Sequence, residues 1–224
     1  MYAETGIINK GYVIISDGII SEIVEGAPPE GIPGQIVDVQ NKIICPGFID
    51  MHTHGIMDVD FMDSTFVSTE KALRTYAEYG VTRIVATLLS NPIPTIIEQC
   101  KLLRDVKQTS AVGALMHGVH IEGPWLAPRC RGGHAAEYLC TPKVDDVKEI
   151  LDQVGDVVKT LTYAPELENT LWLTEQLVKH DIIPVFGHTE ATYEEAEKAI
   201  IAGARHVTHM YDTTMGYKED PDEP

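Results

Sequence analysis

The sequence predicts an α/β fold: a (β/α)8 TIM-type barrel, of which about six βα units are present, with a small β-sandwich element at the N-terminus. Two observations predict it. From residue 43 onward, short apolar strands alternate with amphipathic helices of about a dozen residues, as in repeated βα units around a parallel sheet. Before residue 43, apolar and polar residues alternate on either side of an Asp17-Gly18 turn, which is typical of a β-hairpin.

The N-terminal hairpin is predicted from the two stretches Tyr12-Val13-Ile14-Ile15 and Ile19-Ile20-Ser21-Glu22-Ile23-Val24. A loop rich in glycine and proline at residues 26–34 separates this hairpin from the rest of the chain. We therefore predict two domains, with residues 1–42 as part of a small β-sandwich domain and residues 43–224 as an incomplete barrel.

The barrel strands are predicted near residues 44–51, 81–88, 113–121, 158–163, 183–187 and 205–210. The helices are predicted near residues 68–79, 94–108, 142–153, 168–180 and 192–202. A complete barrel of this type has eight strands and typically about 250 residues. Because the acidic residues 218–224 have the composition of a loop, we expect a chain that is truncated at its C-terminus.

The composition restricts the classes of partner. The 34 acidic residues against 17 basic residues give a formal net charge of −17. Nucleic acids and anionic membranes repel such a chain, so neither is expected as a partner, and a small molecule or a cation fits better. The sequence shows neither an apolar stretch of the roughly 20 residues that cross a bilayer nor a secretory signal, so we expect a cytoplasmic protein. The four cysteines form no CxxC pair and are expected to be reduced, with Cys45 and Cys100 buried.

Histidines and a glutamate follow four of the predicted strands. His52 and His54 are two positions apart at the end of the first barrel strand, so both side chains point the same way. Glu122, His188 and His209 end the third, fifth and sixth strands. A barrel brings consecutive strand ends together around one axis, and imidazoles with a carboxylate suit zinc or a similar first-row ion. The pattern therefore predicts a metal site, although His52 and His54 alone fit a pair of surface histidines equally well.

The remaining histidines carry less information. His117, His120 and His206 lie inside or before strands and His180 lies at a helix end, so structural roles are predicted for these four. His134 follows two glycines in a loop beyond the third strand, where either a substrate contact or a simple turn fits.

Several motifs resemble the amidohydrolase superfamily, and in particular its N-acetylglucosamine-6-phosphate deacetylase family. The matching segments are Pro46-Gly47-Phe48-Ile49-Asp50-Met51-His52-Thr53-His54-Gly55, His120-Ile121-Glu122-Gly123-Pro124-Trp125, Gly132-Gly133-His134, Ala164-Pro165-Glu166, Gly187-His188-Thr189 and His206-Val207-Thr208-His209-Met210. The first of these occurs across the superfamily, whereas the second and the Gly187-His188-Thr189 segment are more specific to the deacetylases.

The resemblance implies a barrel with a small β-sandwich and a divalent metal held chiefly by Glu122, His188 and His209. His52 and His54 would complete a second metal position, so one or two ions are expected, with zinc as the first choice and iron, cobalt or manganese as alternatives. The resemblance also implies that Gly133, His134, Asp212 and Thr213 bind the substrate and that the chain forms a homodimer. The catalytic aspartate of the family is expected beyond residue 224.

The expected activity is metal-dependent hydrolysis of the acetamide of an N-acetylated amino sugar, with N-acetylglucosamine 6-phosphate giving glucosamine 6-phosphate and acetate. The phosphate is the open part of this expectation, because the stretch after His209 offers only Lys218 among several acidic residues. Two alternatives stay open: another amidohydrolase, such as an N-acyl amino acid deacylase, and a truncated metal-binding fragment without turnover.

Overall fold

The computed structural model describes residues 1–3 and 6–214. Contacts between residues divide the chain into two compact units, residues 1–48 and 49–224. The assignment of residues 1–42 and 43–224 to two domains stays a prediction.

The described residues of the first unit form four short strands: β1 (Tyr2–Ala3), β2 (Gly6–Ile7), β3 (Gly11–Ser16) and β4 (Ile19–Glu25). β3 and β4 pair antiparallel, and Asp17 and Gly18 turn the chain between them with φ angles of 53° and 76°. Two left-handed residues in a row are what a tight hairpin turn requires, so the predicted hairpin is confirmed. The β-sandwich around it stays a prediction. Cys45 is exposed, so its predicted burial is wrong, because the chain around it forms no regular strand that could pack it away.

The described part of the second unit, up to residue 214, contains eight strands and five α-helices. Its strands are β5 (Phe48–Thr53), β6 (Gly55–Ile56), β7 (Val59–Asp60), β8 (Val81–Leu88), β9 (Met116–Glu122), β10 (Val158–Tyr163), β11 (Ile183–Phe186) and β12 (His206–Val207). Its helices are α1 (Phe66–Glu78), α2 (Ile93–Thr109), α3 (Val144–Val154), α4 (Thr170–Lys179) and α5 (Tyr193–Ala202). The six predicted barrel strands and the five predicted helices are therefore all present.

Four of the strands differ from their predicted bounds. The first barrel strand starts at Phe48 instead of near residue 44 and ends at Thr53, and the fifth ends one residue early, at Phe186. The third barrel strand starts at Met116, because Gly113–Leu115 forms a 3-10 helix. β12 ends at Val207, because His209 adopts a left-handed φ of 54° that an extended strand cannot contain.

β5 and β8 to β12 form one curled parallel sheet in the order β12-β11-β10-β9-β8-β5. Each strand therefore lies beside its neighbour in the chain, as in one side of a (β/α)8 barrel, and the predicted fold class is confirmed. In this arrangement all six strands end at the same edge of the sheet, where the following loops gather.

The helices cover the outer face of the sheet. Their apolar residues at helical spacing, such as Leu73, Ile96, Leu103, Ile150 and Leu177, are almost completely buried. Burial of each such side chain stabilises the fold by about 1.5–3 kcal/mol. None of the helices in residues 1–3 and 6–214 is long and apolar enough to cross a membrane.

Capping fixes where two of these helices begin. α1 and α5 start with a capping box, in which a threonine caps a backbone amide and a side chain three residues later returns a contact to the threonine's own amide. The α5 box follows the β11 loop directly, so it sets where that loop ends.

Candidate metal and substrate site

Five imidazoles surround the carboxylate of Glu122 at the end of β9. Oε1 of Glu122 lies 3.1 Å from Nε2 of His188 and 3.0 Å from Nε2 of His209. Oε2 of the same carboxylate lies 3.2 Å from Nε2 of His54 and 3.5 Å from Nε2 of both His52 and His134. The structure thus brings together the five residues predicted as metal ligands, and it places His134 beside the same carboxylate.

The curl of the sheet makes this convergence possible. His52 lies in β5 at one edge of the sheet, and His209 follows β12 at the other edge, yet their ring centroids are 4.9 Å apart. Glu122, from a central strand, is only 1% exposed, whereas the side chains of His52, His54 and His209 are 26%, 35% and 37% exposed. The cluster therefore has a buried floor and an open side.

The orientation of His188 leaves one nitrogen free for a metal. Its Nδ1 lies 2.8 Å from the carbonyl oxygen of Cys130, which can only accept a hydrogen bond. The proton of the neutral imidazole is therefore on Nδ1, and Nε2 presents a lone pair on the side of Glu122. His188 is 3% exposed, so its orientation is fixed on all sides.

His134 is held the opposite way round. The backbone amide of Ser90 donates to Nδ1 of His134 at 3.2 Å, and Oγ of Ser90 lies 2.7 Å from the same nitrogen. An Nδ1 that accepts from an amide leaves the proton of the neutral ring on Nε2. Although Glu122, His134 and His188 are close enough to hold an ion together, His134 therefore presents a hydrogen-bond donor and His188 a lone pair.

The charge of Glu122 is stabilised by its neighbours. Burial raises the pKa of this carboxyl, but its close contacts with the imidazoles of His134, His188, His52 and His54 outweigh burial and hold the pKa far below its ordinary value. A buried anion with this many imidazole nitrogens directed at it is well suited to a cation in the middle of the group.

The pKa values of His54 and His209, two of the more exposed histidines, shift in opposite directions. Burial lowers the pKa of His54, but its hydrogen bond to Glu122 and the charges of Glu122 and Asp60 raise that pKa above its ordinary value. Burial lowers the pKa of His209, and the neighbouring His52 and His188 lower it further. His209 is therefore the more readily neutral of the two, which favours metal binding.

The turn that carries His52 and His54 is tied to its surroundings. The backbone amide of Thr53 donates to Oγ1 of Thr87 at 3.0 Å, and Oγ1 of Thr53 lies 2.5 Å from the hydroxyl of Tyr76. That hydroxyl also donates to the carbonyl of Gly55 at 2.7 Å. Nδ1 of His54 is buried without a hydrogen-bond partner among the described residues, so it is left without the second partner that orients most ligating histidines.

His120 lies directly beneath the cluster. Its ring centroid is 4.8 Å from that of His52, and its Nε2 lies 2.7 Å from Oγ1 of Thr162, which in turn lies 2.9 Å from Oγ1 of Thr208. Burial and the neighbouring His52 lower the pKa of His120 to about 3, so the ring is neutral at pH 7. The structural role predicted for His120 is compatible with this packing and stays a prediction.

Of the residues predicted to bind substrate, His134 is buried beside Glu122, whereas Gly133, Asp212 and Thr213 lie in two loops next to the cluster. A Cβ on Gly132 would stand 3.2 Å from Cγ2 of Thr213 and 3.3 Å from Cε1 of His188, so the glycine loop and the loop after β12 are adjacent. A Cβ on Gly133 would meet nothing within 4 Å, so this residue faces open space. The amide of Asp212 donates to the carbonyl of His209 at 2.7 Å. Oγ1 of Thr213 is buried and has no partner among the described residues, so it is available to a ligand.

A cavity of about 350 Å³ lies on the concave face of the sheet beside the histidines. Its lining includes Met51, His52, His120, Thr160, Thr208 and His209. This volume lies within the range that small-molecule sites occupy, about 300–1,000 Å³.

The comparisons with known proteins place the chain in a family. Residues 43–216 match the family model described as the amidohydrolase family. The chain belongs to that family. The superfamily resemblance of its motifs is thereby confirmed, and amidohydrolases are metal-dependent.

The most similar proteins include enzymes with one chemistry. The chain is 32% identical over 211 residues to the N-acetylglucosamine-6-phosphate deacetylase of Bacillus subtilis, covering 93% of this chain and 53% of that protein. It is 34% identical over 215 residues to the enzyme of the same name in Haemophilus influenzae, covering 94% and 54%. It is also 27% identical over 216 residues to the N-acetylgalactosamine-6-phosphate deacetylase of Escherichia coli O157:H7, covering 96% and 56%. The chain thus spans about half the length of the curated relatives it matches.

Two solved structures of deacetylases also superpose on this chain. The N-acetylglucosamine-6-phosphate deacetylase of Pasteurella multocida superposes with a TM-score of 0.84 at 27% identity, covering 95% of this chain and 55% of that one. A mutant of the Mycobacterium smegmatis enzyme in complex with N-acetyl-D-glucosamine-6-phosphate superposes with a TM-score of 0.82 at 30% identity, covering 93% and 53%.

Proposed function

We propose that this chain carries the metal-binding half of a deacetylase site, which hydrolyses the acetamide of N-acetylglucosamine 6-phosphate to glucosamine 6-phosphate and acetate. The observation that carries the proposal is the carboxylate of Glu122 with imidazole nitrogens 3.0–3.5 Å from its two oxygens. The names of the relatives supply the substrate class, and the geometry supplies the reason why a metal is required.

Glu122, His188 and His209 are the proposed ligands of the first ion, because Nε2 of each histidine lies beside the same oxygen of Glu122. His52 and His54 lie beside the other oxygen and are proposed to hold a second ion. Nitrogen ligands with one carboxylate favour zinc, with iron, cobalt or manganese as alternatives. When bound, such an ion lowers the pKa of a water toward neutrality and polarises a carbonyl oxygen.

The chain's own residues would position the acetamide. His134, which carries its proton on Nε2 because Ser90 donates to Nδ1, is placed to donate to the carbonyl oxygen of the substrate. Gly133 would let the sugar approach the backbone closely, since no side chain stands there. Oγ1 of Thr213 and the carboxylate of Asp212 would hydrogen-bond to sugar hydroxyls. No described residue is assigned as the proton acceptor, which we expect outside them.

We further propose a cytoplasmic enzyme that acts as a homodimer on a free sugar phosphate. An acidic chain with a formal charge of −17 gains nothing from nucleic acid or an anionic surface, so we propose neither as a partner.

The test is acetate release from N-acetylglucosamine 6-phosphate by the purified chain with added zinc. Acetate release should depend on the bound metal, so Glu122→Gln should reduce its rate by a factor of at least 100, because the variant removes the negative charge around which the metal ligands are arranged. Glu168→Gln, which changes an exposed carboxylate, should leave the rate unchanged.

The choice of substrate separates the rival functions. N-acetylgalactosamine 6-phosphate is included because one relative acts on it by name, and the unphosphorylated sugar tests the need for phosphate. Release from an N-acyl amino acid alone would replace the proposal by a deacylase. Zinc binding without acetate release from any of these compounds would refute the deacetylase activity of this chain.

A further inference from the structure

We propose that Glu166, which lies outside the metal cluster, is a positioning residue that holds the loop of His188 and so sets the metal affinity of the site. Glu166 follows the end of β10 and belongs to the Ala164-Pro165-Glu166 motif, to which no role has been assigned above. The inference rests on the proposed metal site.

Both oxygens of Glu166 are used by the two residues that follow His188. Oγ1 of Thr189 donates to Oε2 of Glu166 at 2.5 Å, and the backbone amide of Glu190 donates to Oε1 at 2.7 Å. Hydrogen bonds to an ionised carboxylate are short and roughly twice as strong as neutral ones. Oγ1 of Thr189 also accepts from the amide of Ala191 at 2.9 Å, so one hydroxyl joins Glu166 to the start of the next turn.

The same loop is tied to the other side of His188. The carboxylate of Glu190 pairs with Nη1 of Arg129 at 2.9 Å, and Arg129 precedes Cys130, whose carbonyl orients Nδ1 of His188. The two anchors therefore meet at His188: Glu166 fixes the backbone after it, and the Arg129–Glu190 pair links that backbone to the carbonyl that orients its ring.

His188 needs such support because its own conformation is strained. Its φ is 51°, a left-handed value that is unfavourable for a non-glycine residue and persists only where the surroundings hold it. The amide of Thr189 also donates to the carbonyl of Thr213 at 3.1 Å, so the fixed backbone extends to the predicted substrate loop. Without the carboxylate of Glu166, the loop loses two charge-assisted bonds directly after the strained residue.

A purely structural role would make Glu166 one of many carboxylates that close a loop. The two readings differ in what a substitution changes: a structural residue affects the stability of the chain, whereas a positioning residue affects how well His188 meets the ion. Replacing a residue that orients a metal-ligating histidine typically lowers metal affinity by about 10–100-fold.

The experiment measures zinc affinity by competition with a chromophoric chelator, and the visible spectrum of the cobalt-loaded chain, which reports ligand geometry. Glu166→Ala should bind zinc about 10–100-fold more weakly and change the cobalt spectrum. Glu166→Gln keeps one acceptor oxygen and should lie between Glu166→Ala and the unchanged chain. This conservative variant also supplies the answer where the alanine variant fails to fold.

Two control variants separate positioning from charge and from stability. Glu168→Gln removes a nearby exposed carboxylate and should leave affinity and spectrum unchanged. Thr174→Val removes a buried hydroxyl that bonds the carbonyl of Thr170 at 2.7 Å, so it should lower the melting temperature without altering affinity. Unchanged zinc affinity and an unchanged cobalt spectrum in both Glu166 variants would overturn the inference, as would an equal loss of affinity in Thr174→Val.

This readout is independent of turnover. A chain that binds zinc but releases no acetate contradicts the proposed activity and leaves the role of Glu166 intact. A chain that releases acetate while the Glu166 variants bind zinc normally contradicts the role of Glu166 alone, and a chain that binds neither zinc nor cobalt refutes both.

Discussion

Two neighbouring glycines in the loop before His134 should respond in opposite ways to the same substitution. Gly132 has a φ of 54°, and a Cβ there would stand 3.2 Å from Cγ2 of Thr213 and 3.3 Å from Cε1 of His188. Gly133 has no left-handed φ, and a Cβ there would meet nothing within 4 Å. Gly132→Ala and Gly133→Ala therefore make a matched pair in which only the first disturbs the site.

The magnitudes follow from the backbone and from the contacts. A left-handed conformation costs an alanine about 1–2 kcal/mol, against which the lower entropy of the unfolded chain returns about 0.4–1 kcal/mol. Gly132→Ala should thus lower the free energy of unfolding by about 1 kcal/mol, and the ring of His188 must move by a few tenths of an ångström. Gly133→Ala keeps an accessible conformation and should raise the free energy of unfolding by about 0.4–1 kcal/mol.

Urea unfolding of the metal-free chain measures the first effect, and zinc competition measures the second. We expect weaker zinc binding only in Gly132→Ala, because only this variant crowds His188. If the proposed substrate contact is right, Gly133→Ala should raise the KM for the sugar while zinc affinity stays constant. Equal destabilisation by the two substitutions, or undiminished zinc affinity in Gly132→Ala, would refute the reasoning about this loop.

Three further predictions concern burial and metal. Burial raises the pKa of Tyr163 to about 12, whereas an unfolded tyrosine titrates near 10. Stability that is fully present below pH 10 should therefore decline by about 2.7 kcal/mol in total as the pH rises through 12, and urea unfolding of Tyr163→Phe should lack this part of the decline. Burial raises the pKa of Cys100 to about 12, so its thiol should be unreactive in the native chain. A thiol-specific disulfide reagent at about pH 8 should label the exposed Cys45 and Cys140 in the native chain, and Cys100 only after unfolding. Zinc at 100 times its dissociation constant should stabilise the chain against thermal unfolding by about 2.7 kcal/mol. A chelator should reverse this stabilisation, and Glu122→Gln should show none.

The elements of the fold could be predicted because their signals are local. The alternation around Asp17-Gly18 and the apolar runs of β8 and β10 each specify their structure within a few residues. The end of β12 could not be predicted, because His209 leaves the extended region through contacts made by other parts of the chain, including the carboxylate of Glu122.

The convergence of the site could be predicted from strand parity and from the common edge of a parallel sheet. Its hydrogen-bonding shell could not. Cys130 orients His188 through a backbone carbonyl, and Ser90 sets the proton position of His134 partly through a backbone amide. Nearly every residue type carries a backbone carbonyl and amide, so no residue type signals these contacts, and the partners are 58 and 44 positions apart in the chain. The sequence did single out Glu166, as part of the Ala164-Pro165-Glu166 segment that resembles the family, but its partners after His188 are visible only in the structure.

The strained backbone of His188 and His209 connects the fold to the chemistry. Both residues follow a parallel strand, both have left-handed φ angles, 51° and 54°, and both present Nε2 to the same oxygen of Glu122. In each case the carbonyl accepts an amide from a loop, from Ala127 for His188 and from Asp212 for His209. These bonds hold a conformation that costs of the order of 1–3 kcal/mol per residue. If the strand continued in an extended conformation, each side chain would keep the direction that the strand gives it. The left-handed turn redirects His188 and His209, which follow neighbouring strands, so that both side chains point at Oε1 of Glu122. The strain is therefore part of the geometry that makes a metal site, and the loops that hold it are the parts of the sequence on which metal affinity depends.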